Sequence, residues 1–397
     1  MQTKSWFGEV LSSFVVNIQS AAARPLLSII VMFGFMAVVL VMVSVSSIGM
    51  GLNRTFANTG SPAVAVVLSS GAFSETVSYL SQEETKIIGA EPGVVQTRHG
   101  GLISPELIAT ADVPKVNSGV LSTVILRGVT SDAFVIHKRI HLIGGRMFQP
   151  GLNEAIVGRQ AEREYSGLTI GSILHVGNTA WKIVGDFASG GDIHESEIWT
   201  DVQGLQTAFH AGNSYSVVYA KLISPAAYQT FSDAIKKDPR LHVHVMAEKV
   251  YYTKLGQGYS QLVFTVGFAI TIIMALGSII SAINLMHVNL SARIGDIATL
   301  RALGFRRSSV LCAVISEGMV YGAIGGVVGG AMAYSLFNGY QAGTIFGGNT
   351  QVAFQFTVTF GLLVTGIFWA LGMGLVGALF PAIRAARLPV AVTLREN

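Results

Sequence analysis

Four long apolar runs decide what this chain can become. They cover residues 25–50, 262–288, 310–337 and 356–380. A helix needs about 20 mostly apolar residues to cross a bilayer, where lipid offers no partner to an unpaired backbone amide. Each run is long enough. The first has no charge between Arg24 and Arg54, and the third is interrupted by one acid, Glu317. Composition agrees: 12% of the residues are charged, against about a quarter in a soluble domain. We therefore expect an α-helical membrane protein with four transmembrane helices. The first run exceeds the apolar core of a signal peptide and follows residues 1–24, so it reads as a retained span.

Arginine and lysine in short loops set orientation. The loop 289–309 carries Arg293, Arg301, Arg306 and Arg307, and the tail 381–397 carries Arg384, Arg387 and Arg395. The loop 338–355 carries no charge. Both termini and the basic loop are thus expected in the cytoplasm, in a multi-pass protein of the inner (cytoplasmic) membrane. Residues 51–258 are expected on the other side. Within residues 1–24, Trp6, Val10, Leu11, Phe14, Val15 and Ile18 recur at helical spacing. This predicts an amphipathic helix lying against membrane lipids and turning at Pro25.

The large segment 51–258 reads as an α+β extracytoplasmic domain inserted between the first and second spans. Strands are expected from Ala63, Gly93, Ser122, Val217 and Leu241. Ser81 and Glu84 form a capping-box pattern opening a short helix, and Ser224-Pro225 starts another. The strand–helix–strand order at both ends suggests one subdomain, 51–127 with 215–258, split by an insertion. That insertion, 128–214, reads as β-rich, with a strand at Glu154 and a hairpin around Gly177-Asn178.

No catalytic constellation stands out, and a non-catalytic chain is expected. The pattern G-x-x-x-x-G-K-[ST] is absent, so no phosphate-cradling loop of that type is available. Cys312 is the one cysteine, which excludes an internal disulfide. The glycines at 318, 322, 326 and 330 recur every fourth residue inside the third span. Gly318, Gly322, Gly326 and Gly330 therefore read as a surface for close helix packing. Gly372, Gly374 and Gly377 read the same way in the last span. His137 with His141, His242 with His244, and His194 in "GDIHESE" read as solvated surface and turn residues, because no spacing guarantees converging metal ligands. Glu317 is an acid within a span, where charge is costly. Near the basic loop it reads as an ion-pair or hydrogen-bond partner.

The basic loop is itself patterned. In "SARIGDIATLRALGFRRSSV", residues 291–310, Ile294, Ile297, Ala298 and Arg301 share a helical face. Gly304 is placed to end that helix and Ser308 to cap the next. The run "RIGDIATLRALGF" resembles the loop between the second and third spans of MacB/FtsX-type ABC transporter permeases, shared with the lipoprotein-releasing Lol permeases. Arg293, Ile297, Ala298, Leu300, Arg301, Ala302, Leu303 and Gly304 match the family pattern. Asp296 replaces the usual Glu, and Gly295 stands where a basic residue is common. The ending "FPAIRAARLPVAVTLREN" is similar too, with Pro381 closing the last span and Pro389 one residue early.

The resemblance implies half of a homo- or heterodimer, docked on cytoplasmic ABC ATPase subunits that use ATP and Mg. No cofactor would be bound by this chain. Arg293, Asp296, Ile297, Leu300, Arg301 and Gly304 would belong to a coupling helix seated on the ATPase. Closure of the ATPases would move the outer domain, a mechanotransmission that drives work outside the membrane. Export of amphiphilic or peptide-like substrates with a periplasmic adaptor, or membrane fusion protein, is the leading expectation. Lipoprotein or lipid extraction and regulation of a cell-wall hydrolase are alternatives within the family. An ATP-independent membrane sensor or scaffold is the alternative outside it. No nucleic-acid partner is expected.

Overall fold

The computed structural model describes residues 25–116, 118–302, 304–346 and 350–387, with the backbone alone described at 25–27, 296, 300, 341–346 and 350–353. The amphipathic segment 1–24, Leu303, and the tail beyond 387 with Pro389 and Arg395 lie outside the described residues. The chain divides into two compact units. The first includes the helices up to Met50, Ser260–Tyr340 and the segment from Phe356, and the second is Gly51–Tyr259 with Gln341–Gln355.

Helix α1 (Pro25–Asn58) starts at a proline, whose fixed φ suits a first helical turn. It runs past its expected end at 50, because Leu52 and Phe56, four residues apart, still present an apolar face and are buried. Strand β1 (Val64–Ser69) is rich in valine, and its residues 64–68 are buried. Helix α2 (Gln82–Ala90) opens with the capping box: Glu84 N–H donates to Ser81 Oγ, and Ser81 N–H donates to the Glu84 carboxylate. The strand expected from Gly93 shrinks to Gln96–Thr97.

Strand β2 (Ile103–Pro114) is a finding the sequence hid, since Pro105 and Pro114 cannot donate to a ladder and argue against a strand. It pairs antiparallel with β3 (Leu121–Val129), from Leu107↔Gly128 to Pro114↔Leu121. Strand β3 therefore crosses residue 128, where a subdomain boundary was expected. That boundary is corrected: continuous pairing keeps the strand whole. Then come α3 (Ala133–Ile136), β4 (His141–Gly145), β5 (Glu154–Gly158) and α4 (Arg159–Glu164). Strands β6 (Ile173–Val176) and β7 (Thr179–Ala188) form the expected hairpin, with Gly177 at φ +56° in its two-residue loop. Strand β8 (Glu197–Asp201), α5 (Val202–Ala208), β9 (Val217–Lys221), α6 (Ala227–Lys237) and β10 (Val243–Ala247) complete the segment.

Helix α7 (Glu248–Ser291) contains the second apolar run, and α8 (Ile294–Ala302) is the short helix of the basic loop. Gly304 at φ +97° follows it, a left-handed stop that glycine adopts without strain. Helix α9 (Arg307–Phe337) leads to a hairpin, β11 (Gln341–Phe346) with β12 (Thr350–Gln355). The uncharged loop 338–355 thus contains two paired strands. Helix α10 (Phe360–Arg387) runs on through Pro381, which was expected to close it. A proline removes one backbone donor, and packed neighbouring helices tolerate this in a span. Ala382 and Ala385, just beyond, are buried.

The twelve strands form one sheet of order β10-β1-β9-β2-β3-β8-β5-β7-β4, with β6 on β7 and β12 on both β11 and β3. Strand β2 joins two wings: Ile103–Glu106 pair with β9, and the rest pairs with β3. One wing is closed by α2 and α6 over Val67, Ile88, Val218 and Phe231. The other packs Leu126, Val157, Trp181 and Ile198 under α4 and α5.

Candidate functional site

In the helical unit, the basic loop is braced from inside. Ile297 of α8 packs with Leu290, Val310, Val314, Ala382 and Ala385. Arg301 Nη1 donates to the Ala386 carbonyl at 3.4 Å, near the end of α10. There a cation meets the negative end of the helix dipole. Arg293 Nη1 lies 3.4 Å from Glu317 Oε2, Tyr321 donates to Glu317 Oε1 at 2.7 Å, and the Ser28 and Tyr321 hydroxyls are 3.1 Å apart. The acid within the span is therefore paired, and its contacts join α1, α9 and the turn before α8. Thr299, Ala302 and Gly304 are exposed. The side chains of Asp296 and Leu300 lie outside what is described, although both sit on the α8 backbone.

The glycine ladder faces α10. A Cβ at Gly322 would stand 2.4 Å from the Ala370 carbonyl oxygen, and one at Gly318 would meet Gly374 O and Ala378 Cβ at 2.6 Å. Gly326 and Gly330 approach Ala370 and Leu363. Gly374 and Gly377 are equally confined, whereas a Cβ at Gly372 would meet nothing within 4 Å. Gly372 is thus corrected: it points away from the helices packed around it.

The inserted unit holds a buried polar network. Arg127, on β3, is 1% exposed. Its Nε and Nη2 donate to Glu197 at 2.7 Å each, Nη1 donates to Glu106 Oε2 at 2.8 Å, and Nη2 reaches Glu75 Oε2 at 2.9 Å. Tyr219 and Tyr252 donate to Glu75 Oε1 at 2.7 and 3.0 Å. Trp199 Nε1 donates to Glu197 at 2.8 Å. Burial alone would raise the Glu197 carboxyl, but Arg127 and His194 outweigh it and hold the group well below the usual carboxylate range. Burial likewise works against a charged His194, yet Glu197 and Asp192 push it up to about 9.

Two histidines read as solvated are therefore interior. His137 is 7% exposed and His194 is 2% exposed. The correction has a physical cause: Glu106, distant in sequence from His137, and Glu197, one helical turn after His194, supply buried partners. His137 Nε2 is 3.0 Å from Glu106 Oε1, and His194 Nδ1 is 3.1 Å from Glu197 Oε2. His137, His194 and Glu248 are also brought within possible reach of one metal ion. His141 and His242 are exposed, as their spacing suggested. One signal for the network was available: Arg127 interrupts the apolar strand "STVILRGV".

Four helices long and apolar enough to cross a membrane, with an α/β domain between the first and second, define a class of membrane protein. Residues 28–238 match the family model for the MacB-like periplasmic core domain, and residues 268–390 match that for the FtsX-like permease C-terminal. The chain belongs to the MacB/FtsX-like family of ABC transporter permeases. Among its relatives are two called macrolide export ATP-binding/permease protein MacB. The one from Escherichia coli is 21% identical over 74% of this chain and 46% of its own length. The one from Rhodopseudomonas palustris (strain BisB18) is 31% identical over 32% of this chain and 19% of its own. The chain thus spans from about a fifth to under half of the curated relatives it matches. Two solved structures share part of its outline. One is the extracellular domain of the noncanonic ABC-type transporter YknZ from Gram-positive bacteria, at TM-score 0.36, 16% identity, 46% of this chain and 99% of that one. The other is the periplasmic region of MacB from Actinobacillus actinomycetemcomitans, at TM-score 0.36, 10% identity, 48% of this chain and 92% of that one.

Proposed function

We propose that this chain is the membrane subunit of an ABC transporter whose ATPase subunits dock on α8, with the inserted domain outside and both termini in the cytoplasm. The observation that carries this reading is the construction of α8. It is anchored by Ile297 and Arg301, stopped at Gly304, and leaves Thr299 and Ala302 exposed beside the basic loop. A helix held rigidly on its inner face can transmit a push received on its outer face. The arginine asymmetry of the loops supports the orientation. ATP-driven closure would then move the inserted domain and drive export of amphiphilic or peptide-like substrates through a periplasmic adaptor. A second permease chain would complete the dimer.

The test uses the full chain in detergent, co-expressed with its ATPase. Ala302→Glu and Thr299→Arg alter the exposed face of α8 while leaving Ile297 and Arg301 in place. Both are expected to lower ATPase retention and ATPase stimulation at least tenfold. An ATPase that stays bound and fully stimulated with both variants overturns the docking assignment. Full activity of the wild-type protein without any ATPase would favour a sensor or scaffold instead.

A further inference from the structure

Three segments of the inserted unit converge on one point. His137 follows α3, His194 lies in the single helical turn Ile193–Ser196 before β8, and Glu248 opens α7. Their ligand atoms all lie within 4.8 Å of one another, and all three side chains are buried. They share the wall of a cavity of ≈ 300 Å³, which also touches Asp192, Lys138 and Arg139.

The two imidazoles are oriented in the same way. Each turns one nitrogen to a buried carboxylate and leaves the other toward the gap. His137 Nε2 is held by Glu106, and its Nδ1 stands 3.6 Å from Glu248 Oε1, beyond a hydrogen bond. His194 Nδ1 is held by Glu197, and its Nε2 is buried with no hydrogen-bond partner among the described residues. Glu248 is half-committed: its Oε2 accepts from Ser61 N–H at 2.7 Å, which leaves Oε1 for the gap. A carboxylate behind each imidazole is the arrangement that fixes ring orientation and raises ligand basicity in metal sites.

Charge points the same way. Glu75, Glu106 and Glu197 are buried around one guanidinium, that of Arg127, and Glu248 is buried beside His137. Carboxylates that outnumber the one guanidinium in a low-dielectric interior favour further positive charge, either a proton on an imidazole or a metal ion. A proton on His194 Nε2 would supply charge but find no acceptor. A metal ion takes the nitrogen lone pair and supplies the charge at once.

We propose that His137 Nδ1, His194 Nε2 and Glu248 Oε1 bind one zinc ion, with the fourth position facing the cavity and filled by water. Two imidazoles and a carboxylate are a zinc donor set, whereas magnesium and calcium prefer oxygen alone. Tetrahedral zinc places neighbouring donors about 3.3 Å apart. The pair His137 Nδ1 and Glu248 Oε1 is already close to that spacing. The ion would cross-link positions 137, 194 and 248, which only folding brings together. Lys138 and Arg139 on the cavity wall favour water or an anionic oxygen at the open position. This site is independent of the docking role given to α8.

The experiment uses the full chain in detergent, purified without a polyhistidine tag, stripped with a chelator and titrated with zinc chloride. The expected result is one zinc per chain and a zinc-dependent rise in Tm. X-ray absorption at the zinc edge should show two imidazoles and oxygen, without sulfur. His194→Ala and Glu248→Gln should each weaken binding at least 100-fold, and Glu197→Gln, behind His194, by about 10- to 100-fold. His242→Ala, at an exposed position, should leave binding unchanged. Failure of the stripped wild-type protein to bind zinc at micromolar concentration overturns the proposal, as does wild-type affinity in His194→Ala. Should that variant misfold, the wild-type absorption spectrum decides: a sphere with fewer than two imidazoles rejects the site.

Discussion

A buried guanidinium has five N–H donors, and Arg127 makes four contacts to carboxylates drawn from three separate segments at 75, 106 and 197. Nothing local in the sequence announces those partners. A charged residue in an apolar strand says only that some compensation must exist, because an isolated buried charge is too costly. The histidines carry the same lesson. Read by spacing alone they belong on the surface; the distant Glu106 holds His137 inside, whereas the partner of His194, Glu197, is close in sequence but is itself held in the interior by Arg127. The glycines were easier, since a four-residue repeat in a span has few other uses. Even so, the repeat does not say which glycine touches a neighbour. Gly322→Ala would push a methyl against the Ala370 carbonyl, and overpacking of this kind costs about 1–3 kcal/mol. Gly372→Ala meets open space and gains helix propensity, about 1 kcal/mol at most. Thermal unfolding in detergent should therefore separate the two, with a lower Tm for Gly322→Ala and an unchanged or raised Tm for Gly372→Ala. Equal losses would show that the ladder is not a packing surface.

At the scale of elements, local signals worked where the chemistry is local. The capping box at Ser81 and the hairpin glycine at 177 depend on neighbours within a few residues, and both were legible. Strand β2 and the β11–β12 hairpin have partners just as close in sequence, yet they were not legible, because prolines or glycines interrupt their patterns. The loop between β4 and β5 is a local device of another kind. Arg146 pairs with Glu154, whose Oε2 also accepts from Gln149 N–H at 3.1 Å. The Arg146 hydrogen bond, with smaller help from that amide, holds the Glu154 carboxyl below its usual 4.5. A carboxyl whose folded pKa is depressed stabilises the fold above the unfolded value, and this contribution is lost as pH falls through the folded value. The loop 146–153 should therefore gain hydrogen exchange, corrected for the intrinsic pH effect, as pH falls below the usual 4.5 and through the depressed folded value. Arg146→Ala should show the faster exchange already at neutral pH. If wild-type protein and variant exchange alike at every pH, the pair does not hold the loop.

At the scale of the whole molecule, the sequence was read most fully where one solvent dictates the pattern. Four apolar runs and a basic loop follow from lipid and topology, and they give the family its outline. The inserted unit obeys different physics. Its cores, around Trp181 in one cluster and Trp199 in another, are held by burial from water. Urea weakens that burial by solvating apolar and peptide groups. The helical unit has its backbone bonds closed within each helix and its apolar faces covered by detergent, so urea gains little there. Trp369, in α10, belongs to this unit. Urea titration of the full chain in mild detergent should thus red-shift the fluorescence of Trp181 and Trp199. A variant with Trp6, Trp181 and Trp199 changed to Phe should keep the Trp369 signal, and helical circular dichroism should persist through that transition. Simultaneous loss of both signals would mean that the two units unfold as one, and that the inserted domain draws its stability from the spans rather than from its own cores.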